Sequence, residues 1–111
     1  MVGTVKIGDK GIEMAANAAS PYIYKQIFHE DFLLKIQEKN PDPDLFQKMG
    51  FVMAKQAEIK KVSDLMKLNM DSFYEWLLQF EPMDVMTATA AISNIYFKQS
   101  ESTAVPKNEA D

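Results

Sequence analysis

The sequence VGTVKIGDKGIEMAANAASPYIYKQIF, residues 2–28, decides the fold class because its apolar residues change from strand spacing to helix spacing. Short β-type runs flank the glycine-rich stretch Gly8–Gly11 and predict a β-hairpin. A lone hairpin is marginally stable in water, so we expect it to pack on helices or to pair with another chain's edge. Ser20 and Pro21 then predict a helix start, with Ser20 as N-cap and Pro21 at the first helical position.

Four helices are predicted after the hairpin. The first runs from Ser20 to the Asn40–Asp44 segment, and the second begins at Pro43 after an Asp42 cap. Within this second helix Gly50 costs about 1 kcal/mol relative to Ala, so either another helix crosses closely there or the helix is weak. The segment 61–68 is ambiguous and fits a helical turn opened by Ser63.

The third predicted helix has Asn69 as its N-cap, and Pro82 opens the fourth. After Phe97 the chain turns polar, and residues 100–111 are interpreted as a disordered tail. The predicted fold is therefore α+β and predominantly α-helical, with one domain over residues 1–99 that comprises an N-terminal hairpin and about four helices.

Composition excludes several classes of site. The 111 residues include no Cys, one His and twelve Lys but no Arg, and the net charge is −4. A thiolate metal site, a disulfide and a two-histidine metal site within one chain are excluded. The absence of a basic stripe argues against nucleic-acid binding, and no stretch approaches the roughly 18 apolar residues that span a bilayer. We expect a cytoplasmic protein with no catalytic, cofactor or metal site.

Three short motifs resemble sites of chemistry, but each favours a structural interpretation. Residues 29–31, His-Glu-Asp, lie about 100° apart on a helix and do not converge on one ion. The NPDPD segment, residues 40–44, lacks the glycine and distal Glu of a calcium loop. The GDKG segment, residues 8–11, is too short for a phosphate loop. A small enzyme that uses His29 as its base stays open as a third interpretation.

Methionine and aromatic residues are the candidates for partner binding. The chain has eight Met, and Met-rich surfaces adapt to varied apolar partners, although core packing is the commoner role of such residues. Tyr combines a large apolar ring with a polar tip, which suits an interface. The large apolar helix faces leave open a homo-oligomer as well as a separate partner. The predicted partner-binding residues are Tyr22, Tyr24, Phe73, Tyr74, Met83 and Met86.

The block AANAASPYIYKQIFHEDFL, residues 15–33, resembles the tail assembly chaperones of long-tailed, siphovirus-type bacteriophages and prophages of Gram-positive bacteria. The segment DSFYEWLLQFEPMD, residues 71–84, and the polar tail are similar to that family as well. The resemblance covers nearly the whole chain in order and length, but its motifs are not catalytic signatures.

The resemblance implies a viral, non-enzymatic protein that acts in the cytoplasm of the infected or lysogenic host and is absent from the mature virion. Such chaperones bind the tape-measure protein, keep it soluble and help to recruit tail-tube subunits. The family often makes a longer product by ribosomal frameshifting, and Pro106-Lys107-Asn108 is compatible with a slippery codon run. The alternative function is a structural virion protein, such as a tail or head-tail joining component.

Overall fold

A computed structural model describes the backbone of residues 2–104 and the side chains of residues 3–98. The predicted order of a two-stranded antiparallel hairpin followed by a mostly helical chain is confirmed. The elements are β1 (Val2–Ile7), β2 (Lys10–Ala15), α1 (Ser20–Phe28), α2 (Phe32–Lys35), α3 (Leu45–Glu58), α4 (Val62–Leu65), α5 (Met70–Leu77), α6 (Asp84–Thr87) and α7 (Thr89–Ala104). Within the described range, α1, α3, α5 and α7 are the longer helices, and α2, α4 and α6 are single turns. None of the described helices is long and apolar enough to cross a membrane.

The hairpin closes with a two-residue turn and packs on the helices. Ile7 pairs with Lys10, which leaves Gly8 and Asp9 as the turn, and Gly8 takes the positive φ of 64° that such turns require. Alternation along the strands buries Val5, Ile7 and Met14 on one face. This face brings β2 against α3, and β1 against α6 and α7.

The N-terminus of α1 differs from the prediction by one residue. The helix begins at Ser20, and Ala19 occupies the cap position without a side-chain hydrogen bond. Ser20 is buried instead of capping the helix: its hydroxyl donates to Gln56 Oε1 at 2.6 Å and accepts from the Asn17 N–H at 3.0 Å. Ser20 therefore ties α1 to α3.

The prediction of one continuous first helix is wrong, because the chain breaks after Phe28. His29 adopts the left-handed conformation, with φ 58°, while its N–H still donates to the Lys25 carbonyl. Asp31 then caps α2 by accepting from the Leu34 N–H at 3.0 Å. The break turns Leu34, which a continuous apolar face would bury, toward solvent.

The second helix, α3, begins at Leu45, two residues after the predicted Pro43, and Asp44 occupies its cap position without a side-chain hydrogen bond. The question that Gly50 raised is answered by α7, which crosses at that point. A Cβ on Gly50 would lie only 2.9 Å from Ile92 Cδ1, so the missing side chain permits the close approach.

The predicted Asn69 cap is confirmed, with a reciprocal Asn69–Ser72 capping box at the start of α5. The predicted fourth helix consists of α6 and α7, which Ala88 separates. The predicted domain boundary at residue 99 falls inside α7, whose backbone stays helical to Ala104. Residues 105–111 of the predicted tail lie outside the described residues, as does the Pro106-Lys107-Asn108 segment.

Candidate protein-binding surfaces

The structure divides the six predicted partner-binding residues between the surface and the core. The side chains that are more than half exposed are Tyr22, Tyr74, Met83 and Met86. Tyr24 and Phe73 are buried, with 0% and 5% of their surface exposed. In this fold the latter two are core residues and do not form part of an exposed surface.

Tyr24 is buried because it joins an aromatic cluster to a charged network. Its ring centroid lies 4.9 Å from that of Phe28, and its hydroxyl donates to Glu30 Oε1 at 2.9 Å. Lys48 Nζ approaches the same carboxylate oxygen at 3.4 Å. Burial, followed by the hydrogen bond to Glu30, raises the pKa of Tyr24, so the phenol stays protonated in the folded protein.

Phe73 is buried because it connects α5 to two other helices. Its ring lies 5.2 Å from Phe28 of α1, in an edge-on arrangement, and 5.5 Å from Phe51 of α3. Aromatic pairs in such arrangements stabilise a core beyond their buried area. The aromatic character that suggested a partner-binding residue therefore belongs to the core-facing side of α5.

Tyr22 lies at a groove between α1 and α4, which we call the α1–α4 groove. The groove has a volume of about 340 Å³, and its walls are mainly apolar. Val62 and Met66 face Tyr22 across it, and both are substantially exposed. The residues that line it are Asn17, Ala19, Tyr22, Ile23, Gln56, Ile59, Lys60, Val62, Leu65 and Met66.

Two polar contacts fix the walls of the α1–α4 groove relative to each other. Gln26 Nε2 on α1 donates to the Met66 carbonyl at 2.8 Å, which holds the chain after α4 beside α1. At the other end, Asn17 Oδ1 accepts from Gln56 Nε2 at 3.0 Å. The groove is therefore preformed in the monomer, which lowers the entropic cost of binding.

The other three exposed residues lie away from this groove. Tyr74 lies on α5, one helical turn before Leu78, and Leu78 is 84% exposed. Met83 and Met86 lie at α6, where the Thr87 hydroxyl donates to the Met83 carbonyl. None of these residues lines the α1–α4 groove.

The three charged residues at 29–31 lie in the break between α1 and α2, not on one helix as predicted, and each has different surroundings. His29 ends α1, Glu30 accepts from Tyr24 and Lys48, and Asp31 caps α2. Among the described residues, no group of three or more His, Cys, Asp or Glu side chains lies close enough to hold a metal ion.

The carboxylates of the NPDPD segment are paired with lysines. Asp42 lies 3.6 Å from Lys35 Nζ, and Asp44 lies 3.5 Å from Lys48 Nζ. Glu38 and then Asp42 raise the pKa of Lys35. These pairs hold the segment before α3 against α2 and α3.

Sequence reasoning missed Val62 and did not place Met66 beside Tyr22. The residues lie four apart on α4 and at its end, so a single helical turn presents both on one side. That spacing was visible in the sequence. The partner wall comes from α1, about forty residues earlier, and no local pattern shows that contact.

Comparison with protein-family models, curated proteins and solved structures finds no match to this chain.

Proposed function

We propose that this protein is a bacteriophage tail assembly chaperone that binds the tape-measure protein and helps to recruit tail-tube subunits. In this proposal it acts in the cytoplasm of the bacterial host and leaves before the virion is complete. The resemblance of residues 15–33 and 71–84 to that family supplies the identity of the partner, and the surface chemistry supports a protein-binding role.

The observation that carries the proposal is the α1–α4 groove. A tape-measure chain exposes long apolar helical stripes before assembly, and such a stripe binds by inserting apolar side chains into a groove. Tyr22 contributes a broad ring, Val62 a rigid apolar wall and Met66 an adaptable one. The Asn17 and Gln56 amide N–H groups that are not used in the Ser20–Gln56–Asn17 hydrogen bonds can donate to a polar residue that flanks the stripe.

The net charge of −4 fits the same role. A chaperone that covers an apolar stripe must keep the complex from aggregating, and excess charge of one sign keeps proteins apart in solution. The net negative charge is largest in residues 63–81, which carry a net −3, whereas residues 40–62 carry a net +1. Charge repulsion between bound copies would then act mainly through the α5 region.

Co-expression with the tape-measure protein tests the proposal. We expect the two proteins to elute together and the tape-measure protein to become soluble. The double variant Tyr22→Ser and Val62→Ser should weaken the complex by about tenfold or more, because each change removes an apolar contact worth about 1 kcal/mol. Leu34→Ser is the control, since Leu34 is similarly exposed but lies on α2.

The proposal fails if no complex elutes, or if the double variant and the Leu34→Ser control bind equally well. Mass spectrometry of purified particles separates the chaperone from a structural virion protein. A chaperone is absent from finished particles, whereas a tail or joining component is present in fixed stoichiometry. Addition of tube subunits to the co-expressed pair should give a ternary complex.

A further inference from the structure

The exposed side of α5 carries apolar and acidic residues in helical register. Asp71, Tyr74, Glu75 and Leu78 occupy positions i, i+3, i+4 and i+7, and we call this set the α5 face. The Leu78 N–H donates to the Tyr74 carbonyl at 3.2 Å, which keeps the register as far as Leu78. All four side chains are exposed, and Leu78 is the most exposed large apolar residue described.

The apolar part of the α5 face is left exposed by the part of the chain that the structure describes. The opposite side of the helix provides the core contacts, through Phe73 and Trp76. Tyr74 and Leu78 therefore remain in water one turn apart, and together they form the kind of paired anchor that a second helix covers.

Both charged side chains of the α5 face, Asp71 and Glu75, are acidic. Residues 68–97 include four acidic residues and no Lys or Arg. Neither Asp71 nor Glu75 has a cationic partner within 4 Å among the side chains of residues 3–98. Lys10 of β2 reaches the chain just after the helix, where its Nζ donates to the Gln79 carbonyl at 3.4 Å.

We propose that the α5 face binds a basic amphipathic helix, in which Lys or Arg residues flank a stripe of large apolar side chains. Tyr74 and Leu78 contact the apolar stripe, while Asp71 and Glu75, which are also one turn apart, each meet a cation. An acidic or neutral helix has no cation to pair with Asp71 and Glu75, and a carboxylate beside Glu75 is repelled. This partner is defined by its chemistry alone, so the α5 face can bind it whether or not the proposed function is correct.

Two labelled peptides of about 18 residues, long enough to hold a helix, test the proposal. One is an amphipathic helix of Leu and Lys, and the other has Glu in place of every Lys. Fluorescence anisotropy against the full chain should show binding of the Lys peptide, with an affinity that falls as salt is added, and no binding of the Glu peptide.

Variants then assign the binding to the α5 face. Leu78→Ser and Glu75→Lys should each weaken binding of the Lys peptide by about tenfold. Leu34→Ser and Glu13→Lys are the matched controls, since they make the same exchanges at exposed sites on α2 and β2, and they should bind as the wild type does. Circular dichroism of each variant checks that the fold is retained.

Three results would overturn the proposal. The first is equal affinity for the two peptides, which would mean that the charge plays no part. The second is unchanged binding in Leu78→Ser and Glu75→Lys, which would place the peptide elsewhere. The third is concentration-dependent self-association that Leu78→Ser abolishes, because the occupant of the α5 face would then be a second copy of this chain.

Discussion

The contact between Gly50 and Ile92 sets how closely α7 crosses α3, and the addition of one carbon tests it. A Cβ at position 50 would lie 2.9 Å from Ile92 Cδ1 and 3.2 Å from Cγ2, whereas carbon atoms in good contact lie about 3.5–4.0 Å apart. Ile92 is fully buried, so its side chain has little room to move away. Overpacking of this kind costs about 1–3 kcal/mol. Replacement of Gly by Ala within a helix contributes about 1 kcal/mol in the opposite direction.

We therefore expect Gly50→Ala to lower the free energy of unfolding by about 1 kcal/mol, although Ala is the better helix former. Ile92→Val removes Cδ1, the closest atom, and should make Gly50→Ala neutral or stabilising in that background. Urea denaturation of the four proteins in this double-mutant cycle measures the coupling, which we expect to reach about 1 kcal/mol. Additive effects within about 0.5 kcal/mol, or stabilisation of the wild type by Gly50→Ala, would refute the close crossing.

Three further predictions concern stability. Ser20→Ala should cost about 1–3 kcal/mol because it removes two part-buried hydrogen bonds, to Gln56 on α3 and to the Asn17 N–H in the preceding loop, whereas Ser63→Ala, at an exposed site, should change the urea midpoint little. Asn69→Ala removes the capping box and should cost about 1 kcal/mol; an unchanged urea midpoint would contradict the cap. Because the pKa of Tyr24 is raised, the folded protein keeps a proton that the unfolded chain loses above about pH 10. The stabilisation that protonated Tyr24 gives the folded state is therefore complete below about pH 10 and is lost as the pH rises. Tyr24→Phe should therefore reduce the loss of stability between about pH 8 and pH 11, and Tyr22→Phe, at an exposed site, should not.

The features that the sequence predicted well are those set by neighbouring residues. The hairpin follows from strand alternation around a glycine turn, and the cap of α5 follows from the side chain of Asn69. Gly50 indicated a close approach, but the residue that approaches it, Ile92, lies 42 positions further on. The glycine itself indicated where a close contact occurs, but the identity of the contacting residue depends on tertiary packing.

The features that the sequence missed depend on how helices are interrupted and packed. Apolar spacing continues across residues 28–32, so it does not reveal that His29 takes a left-handed conformation and re-aims the chain. Both Tyr22 and Tyr24 were predicted to bind a partner. Tyr22 is exposed, whereas Tyr24, two positions later, is buried in the core. Tyr24 shares the apolar stripe of Ile23, Ile27 and Phe28, whereas Tyr22 lies off it, so helical spacing separates the two rings and aromatic character alone does not.

Site-specific photo-crosslinking tests most directly whether the α1–α4 groove holds another polypeptide. A photoreactive residue in place of Val62, in cells that also make the tape-measure protein, should give a covalent adduct between the two proteins. The same probe in place of Leu34, which is exposed on α2, should give none. The absence of an adduct at position 62, or equal adducts at both positions, would contradict the account.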